Sequence, residues 1–180
     1  MRKMRSYSVL GAVTALVLAS APAAFAGTAA AYNYGNCISN GSVSRKLNVY
    51  TEIHATDYGR TVKVNPGTLA QAVVKSCDGN NEFAINKTVK LTVTAYGWGI
   101  SCGAGFPASV SCSGSGSQKV ITFDTLSGAN PVFLTRTVSS AESIYFDDGA
   151  VGDTTKVCAT VHGVLWGQGT SATACTTSGI

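Results

Sequence analysis

The sequence predicts an all-β fold, an antiparallel β-sandwich stapled by disulfides and carrying at most one or two short helices. Three observations predict it. Apolar residues recur with a period of two, turn residues cut those segments at short intervals, and six cysteines follow an N-terminal secretory leader.

The leader comes first. Arg2, Lys3 and Arg5 form a positive start, Val9 to Leu18 is an uncharged apolar run, and Pro22 breaks it. Ala24-Phe25-Ala26 supplies a small-x-small cleavage site before Gly27. Residues 1–26 therefore read as a Sec signal peptide and residues 27–180 as a single secreted, extracellular domain. Three of the 13 basic residues leave with the leader, so ten remain against nine acidic ones, a net of +1. That balance argues against a nucleic-acid partner. No second apolar run approaches the ~18–20 residues needed to span a bilayer, so no membrane span is expected. Cys37 lacks the lead-in of a lipid anchor. A soluble monomer is expected. The Ala-rich stretch 27–36 reads as disordered.

The strands follow in order. Leu47, Val49, Thr51 and Ile53 alternate with Asn48, Tyr50, Glu52 and His54. Val89, Leu91, Val93 and Ala95 alternate with Lys90, Thr92, Thr94 and Tyr96. Shorter runs at Lys119–Phe123, Val132–Val138 and Ser143–Phe146 also read as strands. Val157, Ala159, Val161, Gly163 and Leu165 alternate with Lys156, Cys158, Thr160, His162 and Val164. Asp57-Tyr58-Gly59, Asn65-Pro66-Gly67, Asp78-Gly79-Asn80, Ser113–Ser117, Ser127–Pro131 and Asp147-Asp148-Gly149 punctuate the chain. Two segments show helical spacing. Leu69, Ala72 and Val73 follow a turn, and Ser139 with Glu142 forms a nominal capping box.

Cys37, Cys77, Cys102, Cys112, Cys158 and Cys175 allow fifteen connectivities. Neighbour pairing closes the shortest loops: Cys37–Cys77, Cys102–Cys112 and Cys158–Cys175. No C-x-x-C occurs and no His stands at ligand spacing from a Cys pair, so neither a metal nor another cofactor is expected.

Trp166-Gly167-Gln168-Gly169-Thr170, after Asp153-Thr154-Thr155-Lys156-Val157-Cys158-Ala159, resembles the last strands of immunoglobulin variable domains. The resemblance implies an Ig-like or related Greek-key sandwich. No Trp lies between Cys112 and Cys158, and Lys156 stands where that family's tyrosine corner needs Tyr. The match therefore reads as convergence on a final strand with a Gly-x-Gly bulge.

Several constellations bear on function. Gly99-Ile100-Ser101-Cys102-Gly103 has the G-x-S-x-G form, with Asp147, Asp148 or Asp153 and then His162 downstream, which would suit a serine hydrolase. The following Gly103-Ala104-Gly105-Phe106-Pro107 cannot start the helix that the motif needs. His54 has Glu52 and Asp57 near it in sequence as possible orienting groups. Asp147, Asp148 and Asp153 crowd one loop without matching an EF-hand, leaving Ca²⁺ binding open. Asn40-Gly41-Ser42 and Asn86-Lys87-Thr88 are sequons. Trp98 and Trp166, each beside glycine, suit stacking on sugar rings. A Cys102–Cys112 loop would offer Phe106, followed by Pro107, as one rigid apolar anchor for a protease pocket.

The residues read best as a non-catalytic extracellular binding or structural module whose partner is a protein or a glycan. A proteinase inhibitor resting on Phe106 and Pro107 and a carbohydrate-binding module resting on Trp98 and Trp166 are the alternatives. A serine hydrolase resting on Ser101 is the most remote.

Overall fold

The computed structural model describes residues 25–103, 109–130, 132–142, 144–147 and 155–178. The strands are β1 (Phe25–Tyr34), β2 (Ile38–Asn40), β3 (Val43–Asp57), β4 (Thr61–Val64) and β5 (Leu69–Ser76). Next come β6 (Glu82–Phe83), β7 (Lys87–Tyr96), β8 (Ser101–Cys102), β9 (Val110–Ser113) and β10 (Gln118–Phe123). The last are β11 (Leu126–Gly128), β12 (Phe133–Thr137), β13 (Ile144–Asp147), β14 (Thr155–Leu165) and β15 (Gln168–Ser178). Every pairing is antiparallel, and no helix occurs among the described residues. None is therefore long and apolar enough there to cross a membrane.

Two sheets form. The first runs β12-β5-β3-β4-β13-β8, with β1, β2 and β6 attached; the second runs β15-β14-β7-β10-β9, with β11 attached to β7. β3 organises the first sheet. Its residues 48–52 pair with β5 and with β1, and its residues 55–57 pair with β4 and with β1. A strand has two edges, so β1 holds one while β5 and β4 share the other. The break between β4 and β5 is the Asn65–Thr68 turn, where Gly67 takes φ +94° and Thr68 Oγ1 accepts from the His54 amide.

The period-two reading holds in detail. Leu47, Val49, Thr51 and Ile53 of β3 are buried, as are Val89, Leu91, Val93 and Ala95 of β7 and Val157, Ala159, Val161 and Leu165 of β14. Each large aliphatic side chain buried this way contributes roughly 1.5–3 kcal/mol. The sheets meet closely at Gly163 on β14. A β-carbon there would lie 2.8 Å from Val49 Cγ1 and 2.9 Å from Leu47 Cδ2.

Both sides of the sandwich are closed, by different means. At one side β8 ends the first sheet and β9 ends the second, and Cys102–Cys112 joins them. At the other, Asn33 Nδ2 of β1 donates to the Ser171 carbonyl of β15 at 2.7 Å. Gly27 lies so near Thr176 that a β-carbon would meet its hydroxyl. The other two bridges lie within single sheets. Cys158 and Cys175 stand directly opposite on β14 and β15, with Cα atoms 4.0 Å apart. Cys37–Cys77 ties the segment before β2 to the segment after β5. All three are the neighbour pairs.

Four expectations are corrected. Residues 27–34 of the stretch read as disordered lie in β1, which pairs with β3 along its whole length. Ala29 and Ala31 pack against the core, so tertiary pairing outweighs their low strand propensity. Leu69–Val73 is not helical but belongs to β5, paired with β3 on one edge and β12 on the other. The Ser139–Glu142 capping box is half right. Glu142 accepts from the Ser139 amide at 2.7 Å, but it closes a turn, and Arg136 holds the same carboxylate. The Gly-x-Gly bulge is absent. Trp166 and Gly167, at φ 51° and 80°, are the whole loop of a two-residue hairpin, and pairing continues unbroken through Leu165↔Gln168 and Val164↔Gly169. Positive φ at both loop residues is the geometry that matches strand twist in tight hairpins.

Candidate functional site

The register of the first sheet lines up two rows of side chains on its outer face. One row is Tyr32, Tyr50, Gln71 and Thr135, taken in turn from β1, β3, β5 and β12. The other is Tyr34, Asn48, Val73 and Phe133 from the same strands. Residues two apart on a strand share a face. The intervening positions Leu47, Val49, Ala70, Ala72 and Leu134 belong to the core between the sheets, whereas Tyr32, Tyr34 and Phe133 are exposed, so these rows look outward.

Between the rows lies a groove of about 190 Å³ walled by Tyr32, Tyr34, Tyr50 and Phe133. Tyr32 is 67% exposed and Tyr34 71%, far more than a scattered core-edge aromatic. Tyr32 packs on Tyr50 with ring centroids 4.4 Å apart. Asn48 lies in the floor, 8% exposed, and its Oδ1 is buried without a hydrogen-bond partner. A buried orphan acceptor of this kind costs about 1–3 kcal/mol.

The ionisable groups at the rim are held by neighbouring side chains. Lys75 Nζ stands 3.1 Å from Glu82, and Glu52 pairs with His54 Nε2 at 2.8 Å. Tyr50 donates its hydroxyl to the other oxygen of Glu52 at 2.7 Å. That hydrogen bond, reinforced by burial and by the Glu52 charge, pushes the Tyr50 hydroxyl up to about 12. Glu52 is thus the orienting partner of His54, while Asp57 Oδ1 instead accepts from the Gly59 amide in the β3–β4 turn.

The residues singled out from the sequence are scattered. Trp98 is 75% exposed beside Gly99, Gly116 and Ser117, on loops between strands of the second sheet and β8. Trp166 is half-buried against the core at its hairpin turn. Phe106 and Pro107 lie outside the described residues, although the Cys102–Cys112 bridge that closes their loop is formed. Ser101 is in β8, paired with Asp147, whereas His162 is on β14 and its Nδ1 shares a hydrogen bond with Ser171 Oγ at 2.7 Å. Asp148 and Asp153 lie outside the described residues, and among those residues no three His, Cys, Asp or Glu stand together as metal ligands. Asn40 is exposed at the β2–β3 turn and Asn86 is exposed before β7.

The tyrosine-walled groove was missed from the sequence. Its signal was Tyr32-Asn33-Tyr34, an alternating aromatic pair inside a stretch read as disordered. No family model, curated protein or solved structure matches the chain.

Proposed function

We propose that the chain is a secreted, non-catalytic extracellular binding module whose contact surface is the tyrosine-walled groove on the outer face of the first sheet. The observation that carries the reading is the pair Tyr32 and Tyr34, both about 70% exposed on a paired strand, beside an Asn48 acceptor with nothing to accept from. Exposed aromatics clustered on rigid backbone mark contact surfaces, because they bury a large area on binding at little entropic cost. The three disulfides support an extracellular setting.

The test compares wild type with the Tyr34→Ala/Phe133→Ala variant. Both side chains are exposed enough for truncation to leave the core intact. Each oxidised protein is immobilised and exposed to supernatant and cell-envelope material from the producing culture. Material held by wild type and released by the variant is the expected result. Equal retention by both proteins, or none by either, counts against the groove.

A further inference from the structure

We infer that the groove takes a neutral glycan, with one pyranose ring seated over Asn48 between the tyrosines. The inference rests on the reading of this face as the contact surface.

Three properties of the groove select that class. Its walls include the side chains of Tyr32, Tyr34 and Phe133, all exposed, and aromatic rings pack on the C–H face of a sugar. Its floor holds a nine-tenths-buried amide whose Oδ1 lacks a donor. A purely apolar occupant would leave that oxygen orphaned, whereas a sugar hydroxyl donates to it. The cation that lines it, Lys75, is already paired with Glu82, and Glu52 is held by the Tyr50 hydroxyl and His54 Nε2, so no unpaired cation there selects an anionic ligand.

Size agrees. At about 190 Å³ the groove is smaller than the ~300–1,000 Å³ of pockets for drug-sized ligands, and it seats a single ring. The exposed faces of Tyr34 and Phe133 remain for neighbouring units of a chain. Peptide capture by strand addition needs an open sheet edge, whereas this site lies on a sheet face, and a proline-rich segment lacks the N–H donors that the Asn48 oxygen would take.

Affinity electrophoresis of the folded, oxidised protein tests the inference. Native gels are cast with hydroxyethyl cellulose, laminarin, glycol chitin or soluble starch, and with alginate as a polyanion. Wild type is expected to be retarded in at least one neutral gel. Tyr34→Ala and Asn48→Leu should each weaken that retardation about tenfold, the size of a contact hot spot. Should Asn48→Leu fail to fold, Tyr34→Ala and Phe133→Ala carry the test, since both positions are exposed. Three results overturn the inference: no retardation by any neutral glycan, retardation by alginate alone that salt abolishes, or retardation unchanged in the variants. A concentration-dependent dimer broken by Tyr34→Ala, without retardation, overturns it in favour of a second copy of the chain. If groove-dependent capture survives while neutral glycans fail, only the ligand class is wrong; if both fail, the groove itself is not the contact surface.

Discussion

Replacing Gly163 with alanine plants a methyl group between the two sheets. The new β-carbon would sit 2.8 Å from Val49 Cγ1, 2.9 Å from Leu47 Cδ2 and 3.6 Å from Ala72 Cβ. Carbon pairs are most comfortable at roughly 3.5–4.0 Å, so two of the three contacts overlap by more than half an ångström. Val49 and Leu47 are each 2% exposed. Overpacking of this kind costs about 1–3 kcal/mol. Alanine returns about 0.4–1 kcal/mol by restricting the unfolded chain, leaving a net loss of roughly 1–2 kcal/mol. For a domain of this size that is a Tm lower by about 2–8 °C. Thermal melts followed by near-UV circular dichroism measure it directly. A double-mutant cycle with Val49→Ala sharpens the test, because shortening Val49 removes the worst clash. The two substitutions together should then cost clearly less than the sum of their separate costs. An unchanged or raised Tm for Gly163→Ala, or strict additivity with Val49→Ala, would refute this account of how the sheets pack.

Two further predictions concern the staples and the rim of the groove. Removing each disulfide by paired Cys→Ser substitution should cost in the order of the loops closed. Separations of 40, 17 and 10 residues correspond to about 3.9, 3.1 and 2.7 kcal/mol for Cys37–Cys77, Cys158–Cys175 and Cys102–Cys112. Urea unfolding of the three variants checks the ranking; a largest loss at Cys102–Cys112 would mean that tethering the sheets matters more than loop entropy. In an absorbance titration Tyr50 should ionise late, near 12, and Glu52→Ala, which removes the acceptor, should return it toward 10.0. Because its folded value is raised, the associated stability is fully present below pH 10 and is lost as pH rises through about 12. Late ionisation that persists in Glu52→Ala would show that the hydrogen bond is not its main cause.

How much the sequence disclosed depended on the range of the interaction. Strands β3, β7 and β14 were legible because one face of each is buried and the other is not, and this writes the period of two into adjacent residues. β1 was illegible because Ala29, Ala30 and Ala31 have little strand preference of their own; their partners are Ile53, Glu52 and Thr51, twenty or more residues away. Helix-like spacing at Leu69, Ala72 and Val73 misled because both faces of β5 bury residues, which blurs the period of two, and the two neighbouring strands hold the segment extended. Lys87 is another case. Nothing in Asn86-Lys87-Thr88 marks it as buried, yet it is 2% exposed, and desolvation pushes its ammonium group below the ordinary lysine range. The groove draws on β1, β3, β5 and β12, which are neighbours in the sheet but not consecutive in the chain. A sequence shows which side chains share a strand face, but not which strands lie side by side.

The unequal closure of the two sides of the sandwich fixes where it yields. One side is a covalent seam through Cys102 and Cys112; the other is a zip of β1 hydrogen bonds with the Asn33–Ser171 clasp. Partial opening takes the path of least free energy, and only the zip opens without breaking a bond between atoms. Amide hydrogens of β1 and β15 should therefore exchange sooner than those near the seam. Limited proteolysis should likewise begin at the N-terminal strand. That strand also carries Tyr32 and Tyr34, so a ligand in the proposed groove would also hold the zip shut and slow that cleavage.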